Sequence, residues 1–220
     1  QILTRPDPAA DGFAPEKLFF PGKMASVSSL ETFFSCPFKH FLQYGLKLRR
    51  RSESRLDQLD FGNLLHAAAE RYVRRGNFEA PVREELEADW EEIRTAPDFE
   101  AAFADPKNAD QLSRLKRECE RFLTEIGRQF LRSDFSNLAV EAEFGMGDRT
   151  FPAAEIPGSP VRLHGKIDRV DVAEADGHRF ARVIDYKSGR SEFSQTAVRD
   201  GVKLQLLIYL CVLRAAGWRP

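Results

Sequence analysis

Two stretches decide how this chain is read: Leu163-His164-Gly165-Lys166-Ile167-Asp168-Arg169-Val170-Asp171, and Val183-Ile184-Asp185-Tyr186-Lys187-Ser188-Gly189. Each belongs to a β-like run, Val161 to Val172 and Arg179 to Lys187, and the turn sequence Glu174-Ala175-Asp176-Gly177 lies between them. That pairing predicts a hairpin. Side chains alternate across a strand, so Asp185 and Lys187 share a face, and a hairpin register can set Asp168 beside Asp185. Standing alone, Asp185 and Lys187 are equally readable as an ion pair at a sheet edge, a common arrangement that contributes little. Two adjacent carboxylates in a covered sheet are a different matter. They repel and raise each other's pKa unless a cation lies between them, and oxygen ligands of that kind suit Mg2+ or Mn2+.

Outward from the hairpin, Leu138 to Phe144 is a third β-like run, which makes a three-stranded meander. Val202 to Ala216 reads as a buried helix, apolar on most sides, with Gln205 and Tyr209 four apart on one face. Before Ser136 the pattern is helical. Ser28-Ser29-Leu30-Glu31 has the form of a capping box, and Leu30, Phe33, Phe34, Phe38, Phe41 and Leu42 follow at helical spacing. Pro37 forces a break there, so two short helices in tandem are predicted. Further helices are expected over Phe61 to Arg75 and Val82 to Arg94, and another carries Leu112, Leu115, Cys119, Phe122, Ile126 and Phe130 on one side. Pro6, Pro8, Pro15 and Pro21 with Gly12 and Gly22 make residues 1–25 a linker or arm, and residues 26–220 one domain. The predicted class is α/β: a small mixed sheet flanked by helices, with a mostly helical N-terminal half.

With 220 residues the chain can bury a core without disulfide staples. Its 33 Lys and Arg against 34 Asp and Glu give a net charge of −1, so bulk charge points to neither a nucleic-acid coat nor a membrane-surface binder. The charge is unevenly spread: Lys39, Lys47, Arg49, Arg50, Arg51 and Arg55 are opposed locally by Glu53 alone, while Glu79 to Asp105 is strongly acidic. The longest apolar stretch, Leu204 to Leu213, is interrupted by Gln205 and is about half the ~20 residues a membrane span requires. Cys36, Cys119 and Cys211 form no C-x-x-C pair, which argues against a disulfide framework or a self-contained zinc site and makes the cytoplasm the expected compartment. Cys119 and Cys211 fall on apolar helix faces and are expected in the core. The start at Gln1 and the end at Trp218-Arg219-Pro220 directly after an apolar helix lead to the expectation of a C-terminally truncated piece of a larger protein.

In Gly62-Asn63-Leu64-Leu65-His66 a histidine follows a glycine by one helical turn, a placement more often structural than ligating when it stands alone. It does not stand alone. Ser26-Val27-Ser28-Ser29-Leu30-Glu31 with Cys36-Pro37-Phe38-Lys39-His40-Phe41 and Tyr44-Gly45-Leu46, then Gly62 to His66, Gly165 to Asp171, Asp185 to Gly189, and Gln205 with Tyr209 come in a specific order and spacing. Together they resemble the PD-(D/E)xK nuclease superfamily, specifically its RecB-like branch and most closely the C-terminal nuclease domain of AddB-type helicase–nuclease subunits. The resemblance covers residues 26 to 215.

It implies a restriction-endonuclease-like core in which Asp168, Asp185 and Lys187 are catalytic. His66, Asp168, Asp185 and the backbone carbonyl of Tyr186 would hold Mg2+ or Mn2+, with Lys187 as the lysine of the D-x-K pair. Gln205 and Tyr209 would contact DNA or orient the site. Glu141 or Glu143 matches a further acidic position, with the register left open. Lys39, Lys47, Arg49 and Arg50 either meet the DNA backbone or form a solvated basic loop. Cys36 matches one of four cysteines that hold a 4Fe-4S cluster in many such domains; the other three are absent, so a cluster is expected only in a longer parent chain. The implied function is a metal-dependent deoxyribonuclease, an exonuclease on single- or double-stranded DNA, working beside a helicase domain or subunit in recombination and double-strand-break repair. The alternative is a catalytically silent DNA-binding or scaffold module of a helicase–nuclease complex.

Overall fold

A computed structural model describes residues 19–48, 58–147, 151–187, 189 and 194–220. Arg49 and Arg50, with Arg51 and Arg55 of the same basic run and residues 1–18 of the arm, lie outside the described residues.

Among the described residues the sheet has five strands, β1 (Met24–Ser26), β2 (Ser136–Phe144), β3 (Ala154–Glu155), β4 (Arg162–Ala175) and β5 (His178–Ile184), and each of the others pairs with β4. Strands β2 and β5 run antiparallel to β4, as the meander required, and β1 adds parallel pairing at the start of β4 through Ala25 and Leu163. Strand β1 thus begins just inside the stretch read as an arm, and Ala25 is part of the core. The β4–β5 turn tightens to Asp176-Gly177, closed by the pair Ala175 and His178. Both turn residues have positive φ, 51° and 73°, the backbone that two-residue hairpins favour because its twist matches that of the strands. At Gly165 a Cβ would lie 2.8 Å from the Phe144 ring, so only glycine lets β2 pack its aromatic residue there.

Strand β5 ends at Ile184, earlier than its sequence pattern suggested. The N–H of Tyr186 is taken at 2.6 Å by the carboxylate of Asp168, and the chain leaves the ladder at the acidic residue.

The helices are α1 (Val27–Ser35), α2 (Pro37–His40), α3 (Gln58–Arg75), α4 (Val82–Thr95), α5 (Glu100–Ala104), α6 (Ala109–Leu131), α7 (Gln195–Arg199) and α8 (Gln205–Ala215). Pro37 does separate two short helices: Cys36 is extended and its Sγ caps α2 by accepting from the Lys39 N–H at 3.5 Å. The cap of α1 is Ser26, whose hydroxyl accepts from the Ser29 N–H at 3.0 Å, in place of the expected Ser28.

Helices α3, α4 and α6 enclose one core around Leu64, Tyr72, Ile93, Leu115 and Leu123, joined by Val140 of β2. A second lies between the sheet and α8, around Phe144, Leu163, Ile167, Val170 and Leu213, and includes Ala142. Val140 and Ala142 should share a strand face, yet they serve different cores. Glu141 between them has φ 51°, a left-handed conformation that is costly for a side chain with a Cβ and reverses the alternation. Helix α8 is less buried than its composition suggested: Tyr209, Val212 and Leu213 face the core, while Leu206, Leu207 and Cys211 are exposed. Cys211 is therefore not a core residue, whereas Cys119 is fully buried and its thiol is pushed up to about 12 by that burial. Among the described residues no helix is long and apolar enough to cross a membrane.

Candidate metal centre

Four elements converge beside Glu141, the left-handed residue of β2. Helix α3 brings His66, β2 brings Glu141, β4 brings Asp168, and the residues after β5 bring Asp185 and Tyr186. The Nε2 of His66 lies 3.1 Å from the Tyr186 carbonyl oxygen; a carbonyl can only accept, so Nε2 carries the hydrogen. That leaves Nδ1 facing two carboxylates, 3.6 Å from Glu141 Oε1 and 3.7 Å from Asp168 Oδ1. One ligand atom from each of the three residues lies within 4.8 Å of the others. In the neutral ring Nδ1 is a lone pair, so three electron-rich atoms point at one place and repel unless a proton or a metal ion sits among them.

The titration of these groups reflects the same conflict. Asp168 is pushed up to about 6, first by burial and then by the charges of Asp185 and Glu141, against the pull of His66 and the Tyr186 N–H. His66 is raised, chiefly by its interaction with Glu141 and against a desolvation cost. Burial alone would raise Glu141, but His66 and Lys166, whose Nζ is 2.5 Å from Glu141 Oε2, together hold it below the usual carboxylate range.

The hairpin register pairs Arg169 with Ile184, which sets Asp185 one step past the strand, opposite Asp168. Asp185 Oδ2 meets Lys187 Nζ at 2.8 Å, while its Oδ1 is buried with no hydrogen-bond partner among the described residues. An orphaned carboxylate oxygen next to a convergent set of nitrogen and oxygen donors fits a hard divalent cation. Lys187 also donates to Gln205 Oε1 at 3.2 Å; Gln205 Nε2 donates to the Tyr209 hydroxyl at 2.6 Å, and that hydroxyl donates to the Lys166 carbonyl at 2.6 Å. This chain of bonds links the lysine to β4 through α8. The helix is in turn capped by Glu31, whose Oε1 accepts from the N–H groups of Leu204 and Gln205 at 2.6 and 2.8 Å.

A family model described as the PD-(D/E)XK nuclease superfamily matches residues 24–220. The chain belongs to that superfamily. Curated relatives are named as one subunit of an ATP-dependent helicase/deoxyribonuclease. The one from Listeria welshimeri is 35% identical over 221 residues, 90% of this chain and 18% of the relative. Those from Symbiobacterium thermophilum and Desulforudis audaxviator are each 35% identical, over 88% and 93% of this chain and 18% of their own lengths. The chain thus spans about 18% of the length of these relatives.

Within this PD-(D/E)XK domain His66, Asp168, Asp185, Tyr186, Lys187, Gln205 and Tyr209 form one connected cluster. Of the two acidic candidates on β2, Glu141 joins the cluster and Glu143 is exposed. Lys39 and Lys47 are exposed on and after α2, and Cys36 is half-buried at the α1–α2 break. Two site residues escaped sequence reasoning. Lys166 was available from strand alternation, since it shares a face with Asp168. Glu31 was read as part of a local capping box, yet its carboxylate caps a helix 174 residues away. Nothing in a local pattern announces that partner.

Proposed function

We propose that this chain is a divalent-metal-dependent deoxyribonuclease domain. The observation that carries the reading is the convergence of His66 Nδ1, Glu141 and Asp168 beside the unpartnered Asp185 oxygen and the amine of Lys187. His66 through Nδ1, Asp168 and Asp185 would hold Mg2+ or Mn2+, with Glu141 as a fourth group in reach, while the Tyr186 carbonyl, expected as a ligand, accepts from Nε2 on the opposite side of the ring. When bound, such an ion acidifies a water and neutralises charge on the phosphate. Lys187 would orient the attacking water or take up charge on the phosphate oxygens, the contribution expected of a preorganised cation. Gln205 fixes the lysine from the far side, and Tyr209 fixes Gln205. His66, tied by Nε2 to the Tyr186 carbonyl, keeps one ring orientation, as a ligating imidazole requires.

The substrate is DNA, taken as single or double strands and digested from an end. Lys39, Lys47, Arg49 and Arg50 supply phosphate contacts that add affinity without sequence choice. The name borne by the relatives supports a helicase partner, within the same polypeptide or beside it, and a role in recombination and double-strand-break repair in the cytoplasm. The test is a cleavage assay on end-labelled single- and double-stranded DNA. Cleavage in millimolar Mg2+ or Mn2+ that stops with EDTA is expected. Retained DNA binding with no metal-dependent cleavage would mean a silent DNA-holding module instead.

A further inference from the structure

Arg169 heads the fully buried side chains by size. A guanidinium keeps its proton, so its charge is buried too, and that is costly unless every arm is matched. Its Nε and Nη2 meet Asp171 Oδ2 at 3.1 and 2.9 Å, and Nη2 also donates to Gln129 Oε1 at 2.9 Å. The guanidinium lies 4.6 Å from the centre of the Phe130 ring. Asp171, equally buried, is shared with Arg182 at 2.9 Å. These contacts tie α6 to the sheet. The remaining arm does something else: Nη1 donates to the hydroxyl of Tyr186 at 3.0 Å.

Tyr186 is thereby held at both ends. Its hydroxyl is fixed by the buried charge, while its N–H goes to Asp168 at 2.6 Å and its carbonyl to His66 at 3.1 Å. Its ring stands edge-on to His66 at 5.7 Å and to Phe122 at 5.0 Å. Asp185, Tyr186 and Lys187 lie beyond the last paired residue of β5, so no ladder hydrogen bonds fix them. Their placement depends on what grips Tyr186.

We propose that Arg169 is a positioning residue of the metal centre: acting through the Tyr186 hydroxyl, it sets the Tyr186 peptide and with it the spacing of His66, Asp168 and Asp185. The proposal rests on the reading of this cluster as a metal site. It explains why a charge is buried here at all, since a network needed only to join α6 to the sheet has no use for the arm that reaches Tyr186.

The test is calorimetric titration of the full chain with Mn2+ alone, for the native sequence, Tyr186→Phe, Arg169→Lys and the double variant, with thermal unfolding in EDTA alongside. Tyr186→Phe removes one hydroxyl and keeps the ring, so folding should survive. Mn2+ should bind it roughly tenfold more weakly, the low end of what removal of a ligand's supporting partner does, while the melting temperature in EDTA falls by no more than one unmatched guanidinium arm costs. Arg169→Lys should be weakened at least as much, and the double variant no further, because both act along one path. Mn2+ affinity unchanged in Tyr186→Phe, or losses that add in the double variant, would overturn the proposal even if stability fell. If the native chain binds no Mn2+, the metal reading itself fails and takes this inference with it.

Discussion

Asp168 is the residue that folding and chemistry pull in opposite directions. Its carboxyl is pushed from 3.8 to about 6, chiefly by burial. Between about pH 4 and 6 the native state therefore keeps a proton that the unfolded chain has released. By linkage, the stability of the metal-free protein falls as pH rises through that window, and the cost is fully present above it. Asp168→Asn should remove this cost, stabilising the metal-free protein at pH 7 by up to about 3 kcal/mol with little effect at pH 4, while abolishing cleavage. Unfolding curves in EDTA at the two pH values check this; a variant less stable than the native chain at pH 7 would contradict it. Lys187→Ala should lower the cleavage rate by roughly two to four orders of magnitude and leave DNA affinity nearly unchanged. If rate and affinity fall by the same factor in parallel kinetic and binding measurements, Lys187 is a phosphate anchor instead. Asp168 and Asp185 were legible because the short hairpin register sets them opposite one another, whereas Lys187 lies past the end of the strand, where alternation no longer governs. The choice of Glu141 over Glu143 was not, because it depends on a left-handed residue in mid-strand that ordinary alternation does not foresee.

Among the elements, α8 shows where pattern reading stops. Its Gln205 and Tyr209 were visible as a polar pair four apart, but its exposed Leu206 and Leu207 were not distinguishable from core leucines, because composition alone does not say which side is covered. Nor did the sequence reveal that Glu31 of α1 holds its N-terminus. A charged cap at that position satisfies two backbone N–H groups and meets the positive end of the helix dipole. Glu31→Ala should cost about 1–2 kcal/mol in denaturant unfolding and slow cleavage, though less than Lys187→Ala does, by loosening the Gln205 that holds the lysine. Glu31→Gln keeps the accepting oxygen and should recover most of both losses. Equal stability and rate in all three proteins would show that the cap is dispensable. The strands were read nearly in full, apart from β1 and β3, whose few residues carry too little alternation to register, and the end of β5, which is set by a side-chain acceptor on another strand.

For the molecule as a whole, the two cores meet at β2, and the His66, Glu141 and Asp168 cluster lies where helix α3 from one core reaches the hairpin of the other. The fold class followed from the switch between helical and alternating patterns; the meeting point did not, since it depends on contacts such as that of His66 with Tyr186, 120 residues apart. A cation bound only by the native state should also stabilise the whole domain, by about 2.7 kcal/mol at a hundredfold excess over its dissociation constant, which a thermal shift with Mn2+ against EDTA would register. The most direct measurement is anomalous diffraction at the manganese edge from crystals of the chain grown with Mn2+. A peak ringed by His66, Asp168 and Asp185, with Glu141 in reach, is the predicted result. A fully occupied manganese elsewhere, with His66 turned away from Asp168, would contradict the assignment of this cluster as the metal centre.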